Sequence, residues 1–260
     1  MAKKNNTSTR NVWLLFAISV LLLSAGWLMK SFPLLIFVAY APLFAISDQA
    51  KEKESPWNYL ELILLALSIS LLCASIFDFS KIILILAQAI VITLAFAGYS
   101  FTYQSLGSRT GKFTIIFFWL GLEYLMLALP WREQFFFLAD ALQLQSNWWR
   151  WNLETGYLTI SLWILLVNLI LYFAIFKFSQ VNWYLVALTA LLIIAPIAWS
   201  YFQMEGIGID REDMMALYSA AEYNGSNNYS NRGELIARTA AWVSVLILLL
   251  AFVRNKTKKK

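Results

Sequence analysis

The chain has 260 residues, 60% of them hydrophobic and only 13% charged, with a mean hydropathy of +0.64. Ordinary soluble domains are about one quarter charged, so this composition excludes one and points to a membrane protein. The net charge of +5 is concentrated in the terminal tails, where it acts as a topology determinant and attracts anionic headgroups rather than nucleic acid.

Crossing ~30 Å of hydrocarbon takes about 17–25 apolar residues in a helix. Segments of that kind recur along the whole length and predict an all-α, polytopic helical membrane protein with about eight transmembrane helices in a single transmembrane domain. The first, Asn11–Met29, has no small-x-small cleavage site after it, so it is expected to stay as an anchor. The second, Phe32–Ile46, is the shortest. The third, Trp57–Phe77, carries Glu61 near its inner end, within reach of the interface, and Cys73, which packs as a small hydrophobe. Then come Ile82–Tyr103, Phe113–Leu129, Thr155–Phe176, Trp183–Phe202 and Leu235–Val253.

Lys and Arg favour the cytoplasmic side of membrane proteins. With the N-terminus inside, Lys30, Lys81, Arg132, Arg150, Arg211, Arg232 and Arg238 alone of the 20 basic residues lie outside. Both termini are therefore expected in the cytoplasm. The inner connections are short and serve as turns. The outer face carries the two long ones, Pro130–Glu154 as an interfacial loop and Gln203–Glu234, and long loops on a rigid scaffold are where function tends to reside.

In the first long loop, Phe135, Leu138, Ala139 and Leu142 fall at helical spacing, which predicts a short helix lying along the membrane surface. Trp131, Trp148, Trp149 and Trp151 suit headgroup depth, where an indole buries its ring and bonds its N–H. With Arg150 snorkelling, they make either an aromatic belt or a binding rim. Glu154 and Thr155 place a carboxylate and a hydroxyl at the positive start of the sixth span. In the second long loop, "DREDMMALYSAAEY" predicts one or two helical turns capped by Asp210.

Glu123 lies deep in the fifth span, where a carboxylate is costly and marks a partner or a polar cavity. Asn168, in the middle of the sixth, is the nearest plausible amide for it. The chain has no histidine and one cysteine, which excludes zinc, haem and Ser-His-Asp chemistry. No cofactor and no metal are expected.

The order "SAGWLMKSFPLLIFVAYAPLFAI", "FWLGLEYL", "LPW" and "WNLETGYLTISLWILLVN", with the tail "RGELIARTAAWVSVLILLLAFV", resembles the membrane domain of bacterial apolipoprotein N-acyltransferase. That resemblance implies a protein of the bacterial inner membrane. The family transfers an acyl chain from a phospholipid to the N-terminal cysteine of a lipoprotein, using a nitrilase-like domain with a Glu-Lys-Cys triad between the last two spans. Here Gln203–Glu234 stands in that place, without lysine or cysteine. Acyl transfer by the family's route needs an accessible thiolate, so no catalytic residue is assigned. The expected function is a non-catalytic or partner-dependent membrane protein binding phospholipid, a lipoprotein or a membrane or periplasmic protein subunit at the rim of Trp131, Trp148, Trp149, Arg150, Trp151, Glu154 and Thr155. The alternatives are the membrane subunit of an acyltransferase completed by a separate nitrilase-like subunit, and a small transporter using Glu123.

Overall fold

The computed structural model describes residues 5–29, 32–52, 57–106, 112–153, 155–177, 180–202, 208–216 and 234–258. The fold is all-helical, 83% helix, with no strand among the described residues. The helices are α1 (Asn5–Leu28), α2 (Ile36–Ala39), α3 (Ala41–Glu52), α4 (Trp57–Ala74), α5 (Ile82–Leu106), α6 (Thr114–Leu127), α7 (Thr159–Ile175), α8 (Trp183–Phe202) and α9 (Leu235–Lys258). Three stretches, Phe79–Tyr103, Trp183–Phe202 and Leu235–Asn255, are long and apolar enough to cross a membrane. The shorter apolar helices Val12–Leu28, Pro33–Asp48, Tyr59–Ala74, Thr114–Leu127 and Thr159–Ile175 accompany them.

Small residues decide how closely two of these helices meet. A Cβ at Gly121 of α6 would come within 3.0 Å of Ala241 Cα on α9, and Ala237 and Ala240 are buried in the same contact. Between apolar helices in lipid, where no hydrophobic drive separates helix from solvent, such close backbone approach is a main source of attraction. Helix α7 is the buried centre, touching α2, α3, α6 and α8. Helix α8 is peripheral, with Tyr184 90% and Phe202 80% exposed.

Two prolines interrupt helical hydrogen bonding, and α7 repairs both breaks. Pro42 has no N–H and its ring would collide with the carbonyl four residues back, so the helix stops at Ala39 and restarts at Ala41. The Asn168 side chain fills the gap: Oδ1 accepts from the amides of Tyr40 (2.8 Å) and Ala41 (3.1 Å), while Nδ2 donates to the carbonyls of Ile36 (2.9 Å) and Ile164 (2.9 Å). Asn168 thus spends its whole hydrogen-bonding capacity on backbone and none on Glu123. Pro196, inside α8, leaves the Leu192 carbonyl without its helical donor. Trp163 Nε1 supplies one at 2.7 Å.

Element ends differ from the sequence expectations for local reasons. The second helical region continues through Glu52 instead of ending at Ile46. The third ends at Ala74, closed by Ile76 and Phe77 in the left-handed region (φ 56° and 58°). The sixth begins at Thr159, because residues 155–158 form a turn around Gly156 at φ 94°.

Replacing Asn168 by Leu leaves two amides and a carbonyl buried without partners. At about 1–3 kcal/mol for each unpaired group, we expect a loss of roughly 3–5 kcal/mol, read from reversible unfolding in mixed micelles. A loss below about 1 kcal/mol would show that other contacts hold the Pro42 break.

Candidate functional site

The first long loop folds into the bundle. Phe135, Leu138, Ala139 and Leu142, expected on a surface helix, are all buried: Phe135 follows a short 3-10 turn at Arg132–Gln134 in extended backbone, and the other three lie in a second at Leu138–Leu142. The physical reason is that the apolar helices supply acceptors and donors for the loop backbone. Gln88 of α5 donates to the Phe136 carbonyl (2.5 Å) and accepts from its amide (3.1 Å). Glu123 Oε1 of α6 accepts from the Leu138 amide (2.9 Å) and from Trp119 Nε1 (3.1 Å). Ser161 Oγ of α7 accepts from the Ala139 amide (3.1 Å). The second oxygen of Glu123, Oε2, is buried beside the Ser161 hydroxyl, with no hydrogen bond of normal geometry among the described residues.

A second layer ties this loop to residues 208–216. The buried Asp140 carboxylate accepts from the Phe137 amide (2.8 Å) and the Tyr157 hydroxyl (2.8 Å), and forms an ion pair with Arg211. Burial pushes the Asp140 carboxyl above its usual range, with Arg211 pulling the other way. The remaining guanidinium donors of Arg211 reach the carbonyls of Glu133 (2.7 Å) and Phe135 (2.8 Å). Asn152 grips Ile209 by both backbone groups, donating to its carbonyl (2.7 Å) and accepting from its amide (2.9 Å). The approach there requires glycine: a Cβ at Gly208 would lie 2.7 Å from Asn152 Oδ1 and 3.0 Å from Arg150 Cα. Residues 211–216 form the expected helical turn, with Asp210 Oδ1 capping the Asp213 amide at 2.8 Å.

Glu234, just before α9, holds the turn that leads into α7. Its two oxygens accept from the amides of Tyr157 (2.8 Å) and Leu158 (3.1 Å), where orphan N–H groups and the helix dipole favour an anion. Burial nevertheless dominates, and the carboxyl is pushed up to about 8, with the Glu123 carboxylate nearby adding to the rise.

The residues read as a rim do not form one surface. Trp131 is 58% exposed. Trp149 is buried, donates to the Leu142 carbonyl at 3.1 Å and packs edge-on against Tyr157. Trp148 and Trp151 are half-buried, and Trp151 Nε1 donates to the Trp148 carbonyl at 3.2 Å. Arg150 bonds Asn147 through its side chain (2.5 Å) and Ser200 Oγ through its amide (2.8 Å). Thr155 Oγ1 is buried without a hydrogen-bond partner among the described residues. Glu154 lies outside the described residues, as does most of the second long loop. Glu61 is exposed, and the lone Cys73 is buried as a free thiol.

At this same end, an open cleft of about 620 Å³ runs between the loop and the 211–216 turn, lined by Lys81, Glu133, Phe136, Arg211, Glu212 and Met215 among others. At the opposite end of the bundle, Lys112 contacts Asp48 and the Tyr172 hydroxyl, Tyr172 donates to Asp48, and Tyr99 donates to Asp48 at 2.8 Å. Burial there pushes the Lys112 amine below its usual range. Sequence reasoning missed this cluster, whose members come from four separate segments. It also missed Asn152, Asp140, Arg211, Tyr157, Ser161 and Glu234 as a connected set. Gln88 did carry a signal, an amide inside an otherwise apolar span. No protein-family profile, curated protein or solved structure matches the chain.

Glu234 gives a pH prediction of definite sign. Its folded-state value of about 8 stands above the ordinary 4.5, so the folded protein binds the extra proton and the associated stability is present in acid and lost as pH rises through about 8. Thermal unfolding in detergent should therefore show a midpoint that falls between about pH 5 and about pH 8. Glu234→Gln should flatten that fall. An identical slope in the variant would assign the pH dependence elsewhere.

Proposed function

We propose that the chain is a multi-pass protein of the bacterial inner membrane, its eight apolar helices crossing the bilayer with both termini in the cytoplasm and the long loops on the outer face. On this reading it holds a phospholipid by its headgroup in the outer-face cleft, on a scaffold resembling the acyltransferase membrane domain, and transfers no acyl group itself. The observation that carries the reading is the cleft lining. Lys81, half exposed in a surface pair with Asp78 (3.3 Å), can turn its ammonium to a phosphate, and Glu133 and Glu212 offer carboxylates for a cationic headgroup, so one cavity matches both charges of a zwitterion. Its volume of about 620 Å³ falls within the ~300–1,000 Å³ of small-molecule sites. Exposed Trp131 at the same end suits headgroup depth. Arg211 also lines the cleft, but its donors are committed to Asp140 and two carbonyls.

A protein or lipoprotein partner at the predicted rim is less favoured, because residues 208–216 already cover Trp149, Asn152 and the backbone at Arg150. The intact protein, extracted in mild detergent, should carry phospholipid detectable by native mass spectrometry. Lys81→Glu and Glu212→Lys should each reduce the retained lipid several-fold without lowering the thermal midpoint, since both residues lie on the surface. Equal retention in wild type and both variants would remove the cleft as the site, and a co-purifying protein in place of lipid would favour the partner-dependent reading.

A further inference from the structure

We infer that the turn joining α4 to α5, residues 75–81, is a wedge seated in bilayer lipid and not a water-facing connection. Three separate features of this turn point to acyl chains as its partner. The first is its backbone. Ile76 and Phe77 are consecutive residues in the left-handed region (φ 56° and 58°), a conformation that water-exposed turns give to glycine or asparagine and that a β-branched residue adopts only under strain. The conformation turns large apolar side chains outward: Ile76 is 69% exposed, Phe77 50% and Phe79 64%.

The second is where the polar groups go. The amides of Ile76 and Phe77 donate back to the carbonyls of Cys73 and Leu72, both at 3.0 Å, and Ser75 Oγ donates to Leu72 at 2.8 Å. Asp78 accepts from the Ser80 amide (3.1 Å) and hydroxyl (2.6 Å) and pairs with Lys81 (3.3 Å). The turn thus bonds its own first amides back to α4 and pairs its one acid with its one base at the surface, an arrangement suited to the boundary where acyl chains meet headgroups. The third is continuity. The membrane-length apolar stretch Phe79–Tyr103 begins within the turn, and Ile83, one helical turn on, is 82% exposed on its flank. Lys81 keeps its ammonium at the headgroups on a long stem and lines the cleft, so the wedge sets the depth at which the cleft meets the bilayer.

This inference rests on the reading of the chain as a multi-pass membrane protein, and spin labelling separates the two. The single native cysteine is removed as Cys73→Ala, and Ile76→Cys, Phe79→Cys, Ile83→Cys and Glu212→Cys are each labelled with a nitroxide in phosphatidylcholine–phosphatidylglycerol vesicles. Collision with oxygen and with nickel ethylenediaminediacetate is then compared by power saturation on variants that elute as monodisperse protein. Labels at 76 and 79 should match that at 83, with oxygen accessibility exceeding nickel accessibility several-fold, while the label at 212 shows the reverse. If 83 reports lipid but either 76 or 79 behaves like 212, the wedge is wrong and the membrane reading stands. If 83 also reports water, the membrane reading fails and takes the wedge with it.

Discussion

A backbone N–H or C=O in apolar surroundings must find a partner or cost several kcal/mol, and the arrangement of this protein follows from how that requirement is met wherever helical bonding lapses. Helix α7 does most of the work. Along one helix, Ser161 accepts from the folded-in loop, Trp163 donates to the carbonyl freed by Pro196, Asn168 patches the break made by Pro42, and Tyr172 joins the Asp48–Lys112 cluster. The turn leading into it is held by Glu234, which accepts from the Tyr157 and Leu158 amides. A helix with so many fixed bonds on different sides has its rotation and depth determined, and the elements around it are placed in turn.

The same requirement explains the buried carboxylates at the loop end. Glu123, Asp140 and Glu234 each accept a main-chain amide from non-helical backbone, and of the three only Asp140 has a guanidinium bonded to it in the described structure. A fixed cation would charge-balance the other two, yet one of them, Glu234, is held largely protonated near neutral pH by burial. These groups therefore serve first as acceptors that admit a loop into the bundle. Glu123, with one oxygen lacking a hydrogen bond of normal geometry among the described residues, keeps the most unused capacity.

The apolar helices were legible because they need only composition and length: each apolar segment read from the sequence has a helix over most of it, and three of those helices are long and apolar enough to cross a membrane. Asp210 as a cap was legible too, being a local signal. What could not be read was any bond between distant segments. The helical spacing of Phe135, Leu138, Ala139 and Leu142 marks an apolar face but does not say whether lipid or Gln88, Glu123 and Ser161 will meet it, and the tertiary partners won. The tryptophans near Arg150 were grouped by proximity in sequence, whereas the turn at Gly156 and the strap at Gly208 distribute them between core and surface. Asn168 looked like a partner for Glu123 because both are polar residues within apolar segments, but the Pro42 break, in a helical segment far off in sequence, claimed it.

Side chains of the surrounding helices hold the backbone of residues 136–142 inside the bundle. Hydrogen–deuterium exchange of those amides in lipid nanodiscs tests this most directly. Protection at Phe136, Leu138 and Ala139 should exceed that of an unstructured reference by about 100-fold or more, approaching the core of α7. Exchange at the reference rate would mean that the loop lies on the surface, and the account of the bundle built around it would not stand.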